Sequence, residues 1–221
     1  MKLSVETLNL LRNFSSIQPS ILIKKGSSIA TKSLANNIVA FANVEEKFEQ
    51  DFGIYELSEF LSVYGMMKDP ELEFHKDHLN IISGKSKCRY NYCEPECIVR
   101  PKTDTGVELP SRDVEFDLPE ADLERIIKAA NTLKLGDLCV HNEDGELLVS
   151  VVDARTNGGN KFSINVGTCE HENEFKLYIK AENLKIIKDD YKVAFSSKGI
   201  TEFKGSKCTY NITLERKTSK Y

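Results

Sequence analysis

The chain has 221 residues, of which 40% are hydrophobic, enough apolar material for one large folded domain or two of ordinary size. Its 30 basic and 34 acidic residues give a formal net charge of -4, so a polyanion should repel the chain as a whole, and any nucleic-acid contact must be local. Because no apolar run reaches the length of a signal peptide or a membrane span, we expect a cytoplasmic protein with reduced cysteines.

The first half of the chain opens with a predicted amphipathic helix. In MKLSVETLNLLRNF the apolar residues recur at helical spacing. Hairpin turns are predicted around residues 25–27 and 35–37. The stretch FGIYELSEFLSVYGM then predicts a strand that leads into a second, short helix, and two further strands joined near Gly84 complete this half.

A proline-bearing connector follows the first half. Residues 94–113, EPECIVRPKTDTGVELPSRD, include Pro95, Pro101 and Pro110 and show no sustained hydrophobic period. A segment of this kind is typical of a link between domains.

The second half repeats the order of the first. It begins with a predicted helix whose acidic first turn follows Pro119, and whose apolar stripe consists of Leu123, Ile126, Ile127 and Ala130. Hairpin turns are predicted at 142–145 and 157–160. The stretch FKLYIKAENLKII predicts another strand followed by a short helix, and two strands joined at 205–207 close the chain.

Similar segments recur in the same order in the two halves, which indicates a duplication. FGIYELSEFL (52–61) matches FKLYIKAENL (175–184), and SKCRYN (86–91) differs from SKCTYN (206–211) at a single position. We therefore predict an α+β protein built from two copies of one domain, each with two helices packed on antiparallel sheets. The expected boundaries are residues 1–98 and 114–221, with the connector at residues 99–113.

The sequence offers little for catalysis or metal binding. It contains no GxSxG, HExxH or GxxxxGK[ST] motif, so we expect neither an enzyme nor a cofactor. The spacing of Cys88, Cys93 and Cys97 could supply zinc ligands, but the tight CxxC pairs of structural zinc sites are absent. The prediction is that all six cysteines are unbonded and hold no metal.

Basic residues form stripes on the predicted helices. Arg125 and Lys128 share one face of the first helix in the second half, and Lys185 and Lys188 share one face of the second. The opening helix offers Lys2 and Arg12, and its partner helix contributes only Lys68. A solvated helix face explains any single stripe, but on an acidic protein the stripes together favour a local surface that faces phosphate.

The domain plan, together with MKLSVETLNLLRNFSSI, SILIKKGSSIAT and YELSEFL, resembles the DNA polymerase sliding clamps of T-even-type bacteriophages. This resemblance implies a homotrimeric ring with its inner helices around double-stranded DNA, and a role as processivity factor in DNA replication. It implies DNA-facing positions at Lys2, Arg12, Lys68, Arg125, Lys128, Lys185 and Lys188.

The resemblance also implies protein partners and a place for them. The tails of the DNA polymerase and of other partners would dock in an apolar pocket beside the connector, with Val99, Val107 and Leu109 as the candidate residues. A separate clamp loader would supply the ATP-driven loading step, and late-transcription factors are further candidate partners. The setting would be the cytoplasm of the host cell.

Two other functions remain open. A viral structural protein could also be assembled from repeated β-rich domains, although a shell has no need of basic helix stripes. A monomeric adaptor could bind proteins through the connector alone, and the mass in solution would separate it from a ring.

Overall fold

The computed structural model describes residues 1–103, 106–156, 158–169, 171 and 173–221. The chain divides into two compact units, Met1–Gly106 (unit 1) and Val107–Tyr221 (unit 2). Part of the predicted connector (104 and 105) and the first residue of the predicted turn at 157–160 lie outside the described residues.

Unit 1 combines two helices with antiparallel strands. The elements are α1 (Val5–Ile17), β1 (Ile21–Ile23), β2 (Gly26–Lys32), β3 (Ile38–Phe48), β4 (Phe52–Ile54), α2 (Leu57–Met66), β5 (Glu71–Phe74), β6 (His78–Ser83) and β7 (Ser86–Asn91). Strand β1 pairs with β4, β2 pairs with β3, and β5, β6 and β7 form a three-stranded meander.

In its described residues, unit 2 combines an α-helix with two groups of four antiparallel strands. One sheet has the order β12-β9-β10-β11, and the other runs from β8 through β13 and β14 to β15. The elements are β8 (Val114–Leu118), α3 (Glu120–Leu133), β9 (Asp137–Glu143), β10 (Glu146–Val152), β11 (Phe162–Thr168), β12 (Lys176–Lys180), β13 (Tyr191–Ser196), β14 (Ile200–Lys204) and β15 (Cys208–Thr213).

Local sequence signals account for several of these elements. The turn between β9 and β10 falls at Asp144 and Gly145, inside the predicted turn at 142–145. Both residues have positive φ, 51° and 79°, which is the backbone of the hairpin turn that Asp-Gly favours. The turn fixes the register in which Glu143 faces Glu146, so the inner residues of both strands point to the same side.

The two units share most of their order of elements, although unit 2 begins with β8. In each, a helix precedes four strands, and a three-stranded meander closes the unit. Tyr90 on β7 and Tyr210 on β15 occupy the third strand of their meanders. Their hydroxyls bond non-equivalent positions, because Tyr90 donates to the carbonyl of Glu56 (3.1 Å), just before α2, and Tyr210 accepts from the N–H of Ile187 (3.3 Å), between β12 and β13.

The predicted second helix of the second half is wrong. The segment after β12 forms only a single 3-10 turn, Ala181–Asn183, and the chain then continues without regular structure to β13. Leu184 and Ile186, two residues apart, are both buried, which is the spacing of an extended segment. The hydroxyls of Tyr210 and Tyr191 bond the N–H and carbonyl of Ile187, which replaces the partners that a helix would supply.

A buried carboxylate stabilises the start of α1. The N-cap residue Ser4 accepts a hydrogen bond from the N–H of Thr7 (3.1 Å). Glu46 on β3 accepts from the N–H of Ser4 and from the hydroxyl of Thr7. Burial alone would raise the pKa of Glu46, but these hydrogen bonds outweigh burial and lower it.

We therefore expect Glu46→Gln to lower the free energy of unfolding at neutral pH by about 1–3 kcal/mol, since hydrogen bonds to a charged group are lost. A carboxylate with a lowered pKa stabilises the fold above its unfolded pKa, and this contribution disappears as the pH falls through the folded pKa. The difference between the variant and the original protein should therefore shrink in acid. Urea unfolding over a range of pH measures both effects.

The control is Glu45→Gln, which removes the same charge from the exposed neighbour on β3. Its free energy of unfolding should change by no more than about 0.5 kcal/mol. Equal midpoints for the two variants would contradict a stabilising role for the Glu46 carboxylate.

Candidate nucleic-acid interface

Helix α3 buries one face and leaves a charged face exposed. Leu123, Ile126 and Ala130 are buried, while Arg125 and Lys128 are exposed on the other side. The helix has no side-chain cap on its N-cap residue, Pro119. Asp190 replaces the cap, because its carboxylate accepts from the N–H of Glu120 (2.8 Å) at the positive end of the helix dipole.

The side chain of Arg125 has two contacts within unit 2. Its Nη1 donates to Oδ1 of Asp122 at 3.1 Å, one turn earlier on α3. Its guanidinium also lies 5.9 Å from the centre of the Phe162 ring on β11, within range of a cation–π interaction. Arg125 is nevertheless largely exposed and presents charge to solvent.

Lys185 and Lys188 were predicted to share one face of a helix, but they lie on the irregular segment after the 3-10 turn. Both are exposed. Lys188 forms an ion pair with Glu124 on α3, and the hydrogen bond to this carboxylate raises the pKa of Lys188. This contact places Lys188 beside the exposed face of α3, close to Lys128, which lies one turn after Glu124.

The candidate cations of unit 1 lie at or beyond the helix ends, apart from Arg12. Arg12 is exposed on α1 and donates to Oδ1 of Asn9 (3.1 Å). Lys2 precedes α1, and Lys68 follows the end of α2 at Met66, so neither lies on a helix. Lys2 binds Asp69 at 2.7 Å, a contact that raises the pKa of the lysine and brings it close to the segment that carries Lys68.

The candidate partner-binding residues are divided between the units. Val99, 37% exposed, belongs to unit 1, and the half-buried Val107 and Leu109 belong to unit 2. A pocket that includes all three therefore stays a prediction.

The start of the connector is anchored on unit 1. Gly53 on β4 pairs with Cys93, whose N–H donates to the Gly53 carbonyl at 3.0 Å. Ile98, which is buried, packs against the same glycine. The isolated glycine in the strand FGI is the sequence signal for this close approach, which the sequence analysis did not use.

The end of the connector is anchored on unit 2. Asp113 donates its N–H to the carbonyl of Phe195 (2.9 Å), and its carboxylate accepts from the hydroxyl of Ser111 and the N–H of Ser197, both at 2.7 Å. Burial would raise the pKa of Asp113, but these hydrogen bonds lower it. Arg112 adds an ion pair with Glu202 at 2.6 Å.

Other chemistry is limited in the part of the chain that the structure describes. All six cysteines are free. The described residues include no group of three or more His, Cys, Asp or Glu side chains arranged to hold a metal ion. None of the described helices has the length and apolar character needed to cross a membrane.

Two family models match most of the chain between them. The model described as DNA polymerase processivity factor matches residues 4–100, and the model described as gp45 sliding clamp, C terminal, matches residues 115–216. The chain is 36% identical over 220 residues to a sliding clamp of Vibrio phage KVP40, with 97% of this chain and 99% of that protein covered. It is 26% identical over 223 residues to a sliding clamp of Escherichia phage RB69, with 97% of each covered.

Solved structures of similar fold include clamps from cellular organisms. A. fulgidus PCNA bound to the C-terminal region of FEN-1 has a TM-score of 0.67 at 11% identity, covering 97% of this chain and 94% of that chain. The Helicobacter pylori beta clamp bound to a DNA ligase peptide has a TM-score of 0.66 at 14% identity, covering 97% of this chain and 66% of that chain. DNA polymerase III subunit beta of Pseudomonas aeruginosa has a TM-score of 0.64 at 10% identity, with 94% of this chain but only 61% of that chain covered. These likenesses concern the fold.

The close approach at Gly53 leads to a prediction about the connector. A Cβ at this position would lie 2.6 Å from the carbonyl oxygen of Cys93 and 2.8 Å from Cδ1 of Ile98. Gly53→Ala should therefore lower the free energy of unfolding by about 1–3 kcal/mol, as other overpacked sites do. Hydrogen exchange of residues 93–98 should become faster, because the anchor must shift.

Gly65→Ala is the matched control. Gly65 lies in α2, and a Cβ there meets nothing within 4 Å. Alanine should stabilise the helix by about 0.5–1 kcal/mol. If Gly53→Ala also stabilised the protein or left exchange of residues 93–98 unchanged, the glycine would not be needed for the anchor.

Proposed function

Because the chain belongs to the sliding-clamp family of DNA polymerase processivity factors, we propose that it forms a closed homotrimeric ring around double-stranded DNA and tethers the phage DNA polymerase to its template. The residues 1–98 and 114–221 are the two clamp domains in this proposal, and residues 99–113 are the connector. The role is topological and requires no catalytic step.

The main support for ring formation is that the two copies of the repeated six-residue segment are buried to different extents. In SKCTYN, on β15, Cys208 and Tyr210 are buried, with 3% and 0% of their surface exposed. In the nearly identical SKCRYN, on β7, Cys88 and Tyr90 are only half-buried and the alternate residues are exposed. Since similar sequences bury similar surface when their surroundings are alike, the exposed copy is a natural place for another subunit.

A partner for β7 is available in unit 2. Strand β11 is the outer strand of its sheet and is mostly exposed, with Ile164 as its only buried residue. Antiparallel addition of β7 from one subunit to β11 of the next would satisfy backbone groups on both edges. The two surfaces differ, so the contact is head-to-tail, and repetition around a rotation axis closes a ring.

The proposed DNA-facing surface consists of Lys2, Arg12, Lys68, Arg125, Lys128, Lys185 and Lys188. Each of these residues is exposed. A ring holds DNA by encirclement, so these cations need only make weak contacts to phosphate that do not depend on sequence. The net charge of -4 disfavours DNA binding elsewhere on the subunit and is compatible with a local basic surface.

Partner proteins are proposed to dock beside the connector, at Val99, Val107 and Leu109. Two of the similar structures contain a segment of a DNA-processing protein bound to a clamp, which supports peptide docking as the mode. The proposed partners are the DNA polymerase, a separate clamp loader and late-transcription factors, and the proposed setting is the host cytoplasm.

Encirclement predicts that DNA topology decides retention. The protein is placed on circular duplex DNA with its loader and polymerase, and half of the sample is then cut with a restriction enzyme. A ring should stay on the circle and leave the new ends of the linear DNA, because only the circle is topologically closed. Gel filtration of the DNA-bound fraction measures retention, and equal retention on both forms would contradict encirclement.

The β7–β11 interface predicts that a charge on β11 dissociates the ring. Val166→Asp replaces a half-buried valine on this edge strand by a carboxylate. Formation of the interface would have to remove water from this charge. Sedimentation equilibrium should show the mass falling from three subunits to one, while circular dichroism stays unchanged. Leu34→Asp makes the same type of change at an exposed site in the turn after β2 and should leave the trimer intact. A Val166→Asp protein that is still trimeric would place the interface elsewhere.

A further inference from the structure

Acidic side chains contact several of the cations that are proposed to face DNA. Asp122 holds Arg125 at 3.1 Å, and Glu124 forms an ion pair with Lys188. In unit 1, Lys2 is bound by Asp69 at 2.7 Å. The proposed DNA-facing surface is therefore a mixed surface, in which cations already have carboxylate partners before any phosphate arrives.

The two ion pairs on α3 are largely exposed and therefore open to exchange. The side chains of Lys188 and Glu124 are 71% and 46% exposed, and those of Arg125 and Asp122 are 62% and 27% exposed. Ion pairs in such positions are weak, and a stronger or better placed anion can take over the cation. A DNA phosphate would have to compete with the carboxylate for the same lysine or arginine.

Lys128 provides a contrast on the same helix. It is exposed, and among the ion pairs of the described residues it takes no part. Its charge is available to phosphate without displacement of a carboxylate partner. In this respect Lys128 differs from the paired cations Arg125 and Lys188.

We propose that Asp122 and Glu124 act as built-in competitors of DNA phosphate, a role that rests on the proposed encirclement of DNA. By occupying Arg125 and Lys188 part of the time, the carboxylates weaken each phosphate contact. A topologically closed ring does not need tight contacts to stay on DNA, and tight contacts would slow its movement, because every step along the duplex must break them. The carboxylates therefore lower the friction between ring and duplex.

Two simpler explanations make different predictions. Acidic residues in the first turn of α3 also stabilise the helix dipole, and this role would not affect movement on DNA. A carboxylate near DNA also repels phosphate directly, and this repulsion would not depend on Lys188. A double-mutant cycle with Glu124→Gln and Lys188→Gln separates the three possibilities.

The experiment follows fluorescently labelled rings on stretched linear duplex DNA whose ends are blocked after the rings have been threaded on. Glu124→Gln frees Lys188, so the diffusion coefficient should fall about two- to fivefold, the range expected when a weak surface ion pair no longer competes. The dependence of diffusion on salt should become steeper, because one more cation now releases counterions from DNA. In the Lys188→Gln background, Glu124→Gln should have no further effect.

Glu143→Gln is the matched control, because it removes the same charge from an exposed ion pair with Lys161 (3.3 Å) at the end of β9. It should leave diffusion unchanged. Asp122→Asn with Arg125→Gln gives a second, independent cycle if a Glu124 variant fails to fold. Lys128→Gln should speed diffusion by the same factor in the original protein and in the Asp122→Asn variant, because Lys128 has no ion pair with Asp122.

Failure of the carboxylate role can be distinguished from failure of encirclement. If the original protein stays on duplex DNA with unblocked ends, encirclement itself is wrong. If it leaves unblocked ends but Glu124→Gln slows diffusion equally with and without Lys188, direct repulsion is the cause. If neither Glu124→Gln nor Asp122→Asn changes diffusion, the carboxylates serve only the helix, and the inference is overturned.

Discussion

The apolar face of a helix determines which side chains remain for function. Leu10, Leu11 and Phe14 of α1 are nearly inaccessible to solvent, as are Leu123 and Ile126 of α3. Fully burying side chains of this size contributes about 1.5–3 kcal/mol each, so the rotation of each helix about its axis is fixed. With this rotation fixed, Arg12 on α1 and Arg125 and Lys128 on α3 face away from the core. The position of charge is thus a consequence of the position of the core.

The two copies of the domain differ in structure at one segment where their sequences are similar. The segments after β4 and β12 are similar in sequence, yet one forms the ten-residue helix α2 and the other a single 3-10 turn. In unit 2 the hydroxyls of Tyr191 and Tyr210 both bond the backbone of Ile187. In unit 1 the hydroxyl of Tyr90 instead donates to the carbonyl of Glu56, just before α2. Tertiary contacts to the backbone therefore decide between helix and irregular chain here, against similar local propensity.

Features that depend on neighbours in the sequence could be predicted, and those that depend on distant residues could not. The helices α1 and α3 and the Asp144–Gly145 turn follow from periodicity and turn chemistry, which act over a few residues. The carboxylate of Glu46 at the start of α1 joins residues about forty positions apart, and nothing local in the sequence pairs them. Likewise, Lys188 was predicted as a DNA-facing cation, but its ion pair with Glu124 was not. The sequence placed Lys188 on a helix that does not form, so its neighbours could not be inferred. The fold was thus more accessible to prediction than the arrangement of charge on its surface.

That arrangement matters because affinity and encirclement place opposite demands on a surface. A protein that binds DNA by charge alone stays bound longer as its cations become more available, and its release is then slow. A ring is retained by closure, so the same cations can be partly neutralised without loss of the DNA. On α3, Glu120, Asp122 and Glu124 come just before Arg125 and Lys128, so acidic and basic side chains lie close together in the first turns of one helix. For a protein that had to bind by charge, these carboxylates would weaken its only hold on DNA. In the proposed ring they would lower only the friction with DNA, and as acidic residues near its N-terminus they also stabilise the dipole of α3.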